Sequence, residues 1–227
     1  DEALNNPLNG AEKVHDGVLS IDDIYDYSKF LDEICECCEI NDIALEAISS
    51  ESGRGQFELS LKHTKDVLNL ADGLIFLKNI IRLISRKNGF AATFMAKPFS
   101  GRPGNGLHTH FSLLDENKNN VFDNGTLNGS DEMLSSVGGL LAHMRQSTLI
   151  FAPHLNSFRR LSPNQHAPIN LTWGYENRTA AIRIPGGKQL NRRIEHRVAG
   201  SDTNVYLVLA AILGAALNGL KNCSEAP

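Results

Sequence analysis

The sequence predicts an α+β fold in which an antiparallel sheet packs with helices. Three observations point to it. Hairpin-like strand pairs stand apart from several helices, with no regular strand–helix alternation. Long apolar runs recur at helical spacing, and no internal repeat or low-complexity tract interrupts them. At 227 residues with 41% hydrophobic and 21% charged side chains, the chain can bury a real core.

Ser20 followed by Asp23 resembles a capping box, and Ile24, Tyr27, Leu31, Ile34 and Cys38 continue at helical spacing to about Ile40. Two strands are expected next, over 43–50 and 56–61. In the second, Phe57, Leu59 and Leu61 face one way and Gln56, Glu58 and Ser60 the other, with Gly53 and Gly55 in the turn. Thr64 is the expected cap of a long helix through Val67, Leu70, Leu74, Leu77, Ile81 and Ile84 that stops at Asn88-Gly89. Strands are expected over 90–95 and 107–114, on either side of a glycine- and proline-rich loop at 97–106. Ser130 starts a helix through Val137, Leu140, Leu141 and Met144; residues 156–168 read as a loop. Short strands over 169–173, 180–184 and 192–198 precede a last apolar helix from Asn204.

Between Asn156 and Arg197 lie seven arginines: Arg159, Arg160, Arg178, Arg183, Arg192, Arg193 and Arg197. Arginine stays protonated and offers a planar fork of donors suited to phosphate and carboxylate oxygens. The net charge of −4 makes this a local feature, which favours a phosphate-bearing small molecule over nucleic acid. If 192–197 is a strand, Arg193, Glu195 and Arg197 share one face while Ile194 and Val198 face the other way. His108 and His110 likewise share a face. Glu51 and Glu58 bracket a glycine turn, so their carboxylates can converge as hard oxygen ligands for magnesium or manganese. A zinc or manganese hydrolase built on His108 and His110 would leave the arginines unexplained.

Cys35, Cys37 and Cys38 sit too close along one helix for disulfide geometry, and with Cys223 they read as reduced thiols of a cytoplasmic protein. The apolar run 205–217 is shorter than a membrane span and reads as a buried helix, so no membrane partner is expected. Asp1 and the turn-rich residues 1–10 suggest a chain that begins inside a larger protein.

Taken in order, Glu51-Ser-Gly-Arg-Gly-Gln-Phe-Glu58, Lys97-Pro98-Phe99, Gly104-Asn-Gly-Leu-His108-Thr-His110, Asn156-Ser-Phe-Arg-Arg160-Leu, Asn177-Arg178, Ile182-Arg183-Ile-Pro and Arg192-Arg-Ile-Glu195-His-Arg197 resemble the glutamine synthetase family over residues 43–217. The resemblance implies a partial catalytic domain spanning 1–227, with the family's N-terminal β domain and one metal-ligand strand preceding it. It implies that Glu51 and Glu58 bind one Mg2+ or Mn2+ ion and that His108 and Glu195 bind another. Glu46, His110 and Ser112 fall where the family contacts ATP. Gly104, Arg160 and Arg197 fall on the glutamate site. Arg178, Arg183 and Arg193 match arginines that serve the nucleotide and the transferred phosphoryl group, Arg178 standing also among the substrate contacts and Arg160, Arg178, Arg183 and His166 in the catalytic set.

The implied reaction is an ATP-dependent ligation of glutamate to ammonia through γ-glutamyl phosphate, in a cytoplasmic homo-oligomer of nitrogen metabolism. Alternatives are an organic amine or polyamine as acceptor, or a non-catalytic assembly or regulatory relative. One departure bears on the acceptor. His166 stands where the family carries a glutamate that closes the site; a neutral imidazole can act as a base near pH 7 but cannot attract ammonium electrostatically.

Overall fold

The computed structural model describes residues 18–53, 55–163, 167–187 and 191–226. The chain divides into two compact units, Asp1–Phe94 and Met95–Pro227. Residues 1–10, named above as turn-rich, lie outside the described residues.

In the first unit Ser20 caps α1 (Ile21–Asp26), its side chain accepting from the Asp23 amide at 3.3 Å. The single helix expected here breaks at Tyr27, and α2 (Ser28–Ile40) follows. Tyr27 packs edge-on against Phe57 and Phe90, at centroid distances of 5.2 and 6.0 Å. Strands β1 (Leu45–Ser50) and β2 (Phe57–Leu61) form the expected hairpin. Its turn is closed by Glu51 and Gln56, the Glu51 amide donating to the Gln56 carbonyl at 2.8 Å.

Helix α3 (Val67–Lys87) is capped by Asp66 rather than Thr64. Thr64 instead stands two residues before the cap and accepts from the Asp66 amide at 3.1 Å. Phe30, Leu31, Ile34, Leu77, Ile81 and Ile84 make the core of this unit. No strand forms over 90–95, contrary to expectation. The Phe90 and Ala92 amides donate to the carbonyl and hydroxyl of Ser85 at the end of α3, which takes them out of any ladder.

The second unit carries a four-stranded sheet ordered β3-β6-β5-β4, formed by β3 (Thr109–Phe111), β4 (Trp173–Tyr175), β5 (Ile182–Ile184) and β6 (Ile194–His196). Each regular strand is shorter than expected, and β4 is also displaced, sharing only Trp173 with the strand expected over 169–173. The β3–β6 and β6–β5 pairs are antiparallel, but β4 and β5 run parallel although only residues 176–181 join them. Glu176, at φ 52°, turns the chain back there. A loop is expected over 156–168, but the short helix α6 (Leu155–Arg160) forms at its start, and the Ser157 hydroxyl accepts from the His154 amide at 3.1 Å.

Ser130 and Asn204 cap α4 (Asp131–Met144) and α7 (Val205–Asn222) as expected, while α5 (Thr148–Phe151) is a single turn. By length and mean hydropathy (1.5) α7 could cross a membrane. Its Val208, Ile212 and Ala216 instead join Val137, Leu140, Ile182 and Ile194 in one core. The α4–α7 crossing is close because glycines meet there: a Cβ on Gly219 would lie 2.1 Å from the Ser135 carbonyl oxygen, and one on Gly139 2.3 Å from that of Ala215.

Candidate active site

Glu195 occupies the centre of β6, paired with His110 on β3 and with Arg183 on β5, so the three form one row across the sheet. Strand alternation sends Ile194 and His196 into the core beneath and keeps this row on the opposite face. The face expected for Arg193, Glu195 and Arg197 is therefore the observed one. Glu195 Oε2 accepts from Arg183 Nη1 at 2.8 Å and Oε1 from Arg197 Nη1 at 2.5 Å. His108 Nδ1 and His110 Nε2 lie 3.4 and 3.8 Å from the same Oε1. Arg193 Nε donates to His110 Nδ1 at 3.2 Å, closing the row on its outer side.

The electrostatics follow from this packing. Burial pushes the Glu195 carboxyl up, but the Arg197 charge, the two histidines and the Arg197 hydrogen bond outweigh it, and the group stays below the usual carboxylate range. The His108 imidazole is pushed down to about 3, by burial first and then by the Arg197 charge. The centre thus presents an ionised carboxylate, a neutral imidazole and two fixed guanidinium groups at neutral pH.

Arg160, only 5% exposed, reaches from α6 toward the same strand. Its Nη1 donates to the Val198 carbonyl at 2.8 Å and its Nη2 to that of Arg197 at 3.2 Å. Burial, and then Arg197, lower its pKa to about 10, so it remains protonated. The glycine loop lies directly on it: a Cβ at Gly104 would come 2.4 Å from the Ala96 carbonyl oxygen and 3.0 Å from Arg160 Cγ.

Two side chains of α6 hold this arrangement, in roles that no local pattern signals. The Asn156 amide exchanges two 2.8 Å hydrogen bonds with the Lys97 backbone, pinning the base of the loop. Ser157 donates to Asp202 Oδ2 at 2.6 Å, 45 residues away. Both side chains stand inside a quoted motif, but only their partners reveal what they do.

The other expected residues are placed as follows. In the hairpin register Ser49 faces Glu58, and Glu51 lies opposite Gln56; Glu51 and Glu58 therefore share one face as diagonal neighbours. Glu46 is exposed at the β1 irregularity. Ser112 is exposed one residue past β3, and Arg178 is exposed in the 176–181 connection, outside the bonded cluster. His166 lies outside the described residues.

The chemistry of the donors fits a divalent cation: a carboxylate held ionised and an imidazole held neutral are ligands in their binding-competent forms. Among the described residues no three histidine, cysteine or acidic side chains gather into a complete ligand set. His108 and Glu195 would supply two ligands of one ion, and Glu51 and Glu58 would supply carboxylates for another.

A buried carboxylate gripped by arginines thus lies on the polar face of a small sheet in an α+β protein, beside a glycine loop. The chain belongs to the glutamine synthetase family: residues 2–227 match the family described as glutamine synthetase, catalytic domain. It is 38% identical over 205 residues to gamma-glutamylputrescine synthetase PuuA of Escherichia coli (strain K12), covering 90% of this chain and 43% of that protein. It is 37% identical over 208 residues to a glutamine synthetase of Pyrococcus horikoshii, covering 92% and 46%. With glutamate–isopropylamine ligase of a Pseudomonas species the identity is 41% over 185 residues, covering 79% and 39%.

Among solved structures, apo GmaS without ligand superposes with a TM-score of 0.84 at 30% identity, covering 95% of this chain and 49% of that one. The chain spans about half the length of these relatives or somewhat less.

Proposed function

We propose that this chain carries the catalytic centre of an ATP-dependent ligase that joins the γ-carboxylate of glutamate to an amine. The observation that carries the reading is Glu195, ionised between Arg183 and Arg197 with His108 at its oxygen. ATP with Mg2+ or Mn2+, when bound, supplies the phosphoryl group that turns an unreactive carboxylate into an acyl phosphate. Arg160 and Arg197 hold the carboxylates of glutamate, and Arg183 and Arg193 meet the charge of the transferring group. Such preplaced donors cost no reorganisation as charge develops, and one of them can be worth about 3 kcal/mol. Gly104 keeps the loop close over Arg160, which limits water access to a hydrolysable intermediate.

For the acceptor we favour an organic amine over ammonia. His166 lacks the negative charge that draws ammonium, and two relatives bear the names of ligases for putrescine and isopropylamine. A cytoplasmic homo-oligomer completes the proposal, and the four free cysteines accord with the compartment.

The test is an amine panel on the full-length enzyme, reading phosphate release with glutamate, ATP and Mg2+ or Mn2+. Release that requires glutamate and metal, with kcat/KM higher for an organic amine than for ammonium, is the expected result. A higher value for ammonium reverses the choice of acceptor. No glutamate-dependent release with any amine overturns the ligase reading in favour of a non-catalytic relative.

A further inference from the structure

We propose that Glu176 is a positioning residue for Arg183, fixing the guanidinium plane between an inner and an outer carboxylate. The inner one is Glu195, whose side chain is 3% exposed and accepts from Arg183 Nη1 at 2.8 Å. The outer one is Glu176, 60% exposed, whose Oε2 accepts from Arg183 Nη2 at 3.3 Å. Arg183 Nε is buried and has no partner among the described residues, so the two Nη groups carry the orientation.

An exposed ion pair on its own usually does little. Two observations set this one apart. Glu176 stands at φ 52°, a left-handed conformation that a long L side chain seldom adopts, and its amide donates to the Ile184 carbonyl at 3.0 Å. Its second oxygen, Oε1, accepts from the Gly186 amide, and a Cβ at Gly186 would lie 2.9 Å from that oxygen. One carboxylate therefore ties the turn after β5 to the arginine projecting from β5.

A guanidinium held at one Nη retains freedom to swing about that contact, whereas one held at both is confined to a plane. If Arg183 serves the transferring phosphoryl group, which rests on the ligase reading above, that confinement places Nη donors before the charge develops. Small misplacements of such a group are costly in rate. The role predicts a loss in kcat rather than in glutamate binding, because Glu176 lies outside the Arg160–Arg197 pair.

The experiment uses Glu176→Gln, which keeps an acceptor for the Gly186 amide but removes the charge, and Glu176→Gly, which relieves the positive φ and removes both contacts. Nitrogen-15 NMR of the arginine guanidinium groups reports rotation at Arg183, and steady-state kinetics of the full-length enzyme reports kcat and KM. Distinct Nη signals for Arg183 in the wild type should average in both variants, with kcat falling about tenfold or more and the glutamate KM holding within about twofold. Unchanged Arg183 signals in both variants overturn the inference whatever the turnover. Averaged signals with unchanged kcat overturn the catalytic part of the role. Averaged signals in an enzyme whose wild type makes no γ-glutamyl product uphold the positioning and overturn the ligase reading instead.

Discussion

Arg197 Nη1 lies 2.5 Å from Glu195 Oε1, two residues back on the same strand face, with both side chains almost fully buried. Glu195 is thus at once a candidate metal ligand and the counter-charge of two arginines. Glu195→Ala should abolish metal-dependent turnover and also destabilise the fold by about 3 to 5 kcal/mol, because the guanidinium groups of Arg183 and Arg197 both lose a buried carboxylate. Glu58, exposed on β2, offers the contrast. Glu58→Ala should remove turnover with stability changed by less than about 0.5 kcal/mol. Denaturant midpoints beside turnover for both variants would check this; equal stability would show that Glu195 is not the anchor described.

Arg160→Lys should raise the KM for glutamate more than that for ATP, since a planar fork becomes one flexible contact. Lysine cannot bridge the Val198 and Arg197 carbonyls as Arg160 does. A stability cost of about 1 to 3 kcal/mol should accompany the change. Parallel KM measurements for the two substrates test it, and equal rises would place Arg160 outside the glutamate site.

His196 makes the lower end of the pH range costly. It is wholly buried against Phe151, with neither ring nitrogen partnered among the described residues, and burial pushes its pKa from 6.5 down to about 3. Because the folded value lies below the unfolded one, the stabilising contribution is complete above pH 6.5. It is lost as pH falls from 6.5 toward 3, when the unfolded chain binds the proton more readily. Between pH 6.5 and 5 the loss should be about 2 kcal/mol. Denaturant titrations of wild type and His196→Leu at both pH values provide the check, and the leucine variant should show a flatter dependence.

The α4–α7 crossing distinguishes two glycines on the same helix. Gly219→Ala should destabilise by about 1 to 3 kcal/mol, because the new methyl meets the Ser135 carbonyl and the helices must part. Gly214→Ala has nothing within 4 Å and should stabilise by up to about 1 kcal/mol through helix propensity. Thermal midpoints of the two variants should move in opposite directions.

Much of this protein was legible where the controlling interaction is local. Ser20, Ser130 and Asn204 cap their helices through amides two or three residues ahead, so the sequence alone marked those starts. The shared face of Arg193, Glu195 and Arg197 followed from strand alternation, and the Glu51–Glu58 hairpin followed from its turn. Where local signals competed, the sequence misled: 90–95 has strand-like composition, yet Ser85 captures its amides, and 155–160 lacks an apolar period, yet it coils.

What only the tertiary structure decided is partnership across long separations. No spacing rule sets β6 between β3 and β5, runs β4 parallel to β5, or brings Ser157 to Asp202. These outcomes depend on which apolar faces are buried together, a property of the whole packed unit. The sequence by itself determined which chemical groups were available and which face of each strand would carry them. Folding decided that Glu195 would be held between Arg183 and Arg197, because only the assembled sheet brings β5 and β6 side by side and excludes enough water to make their charges meet.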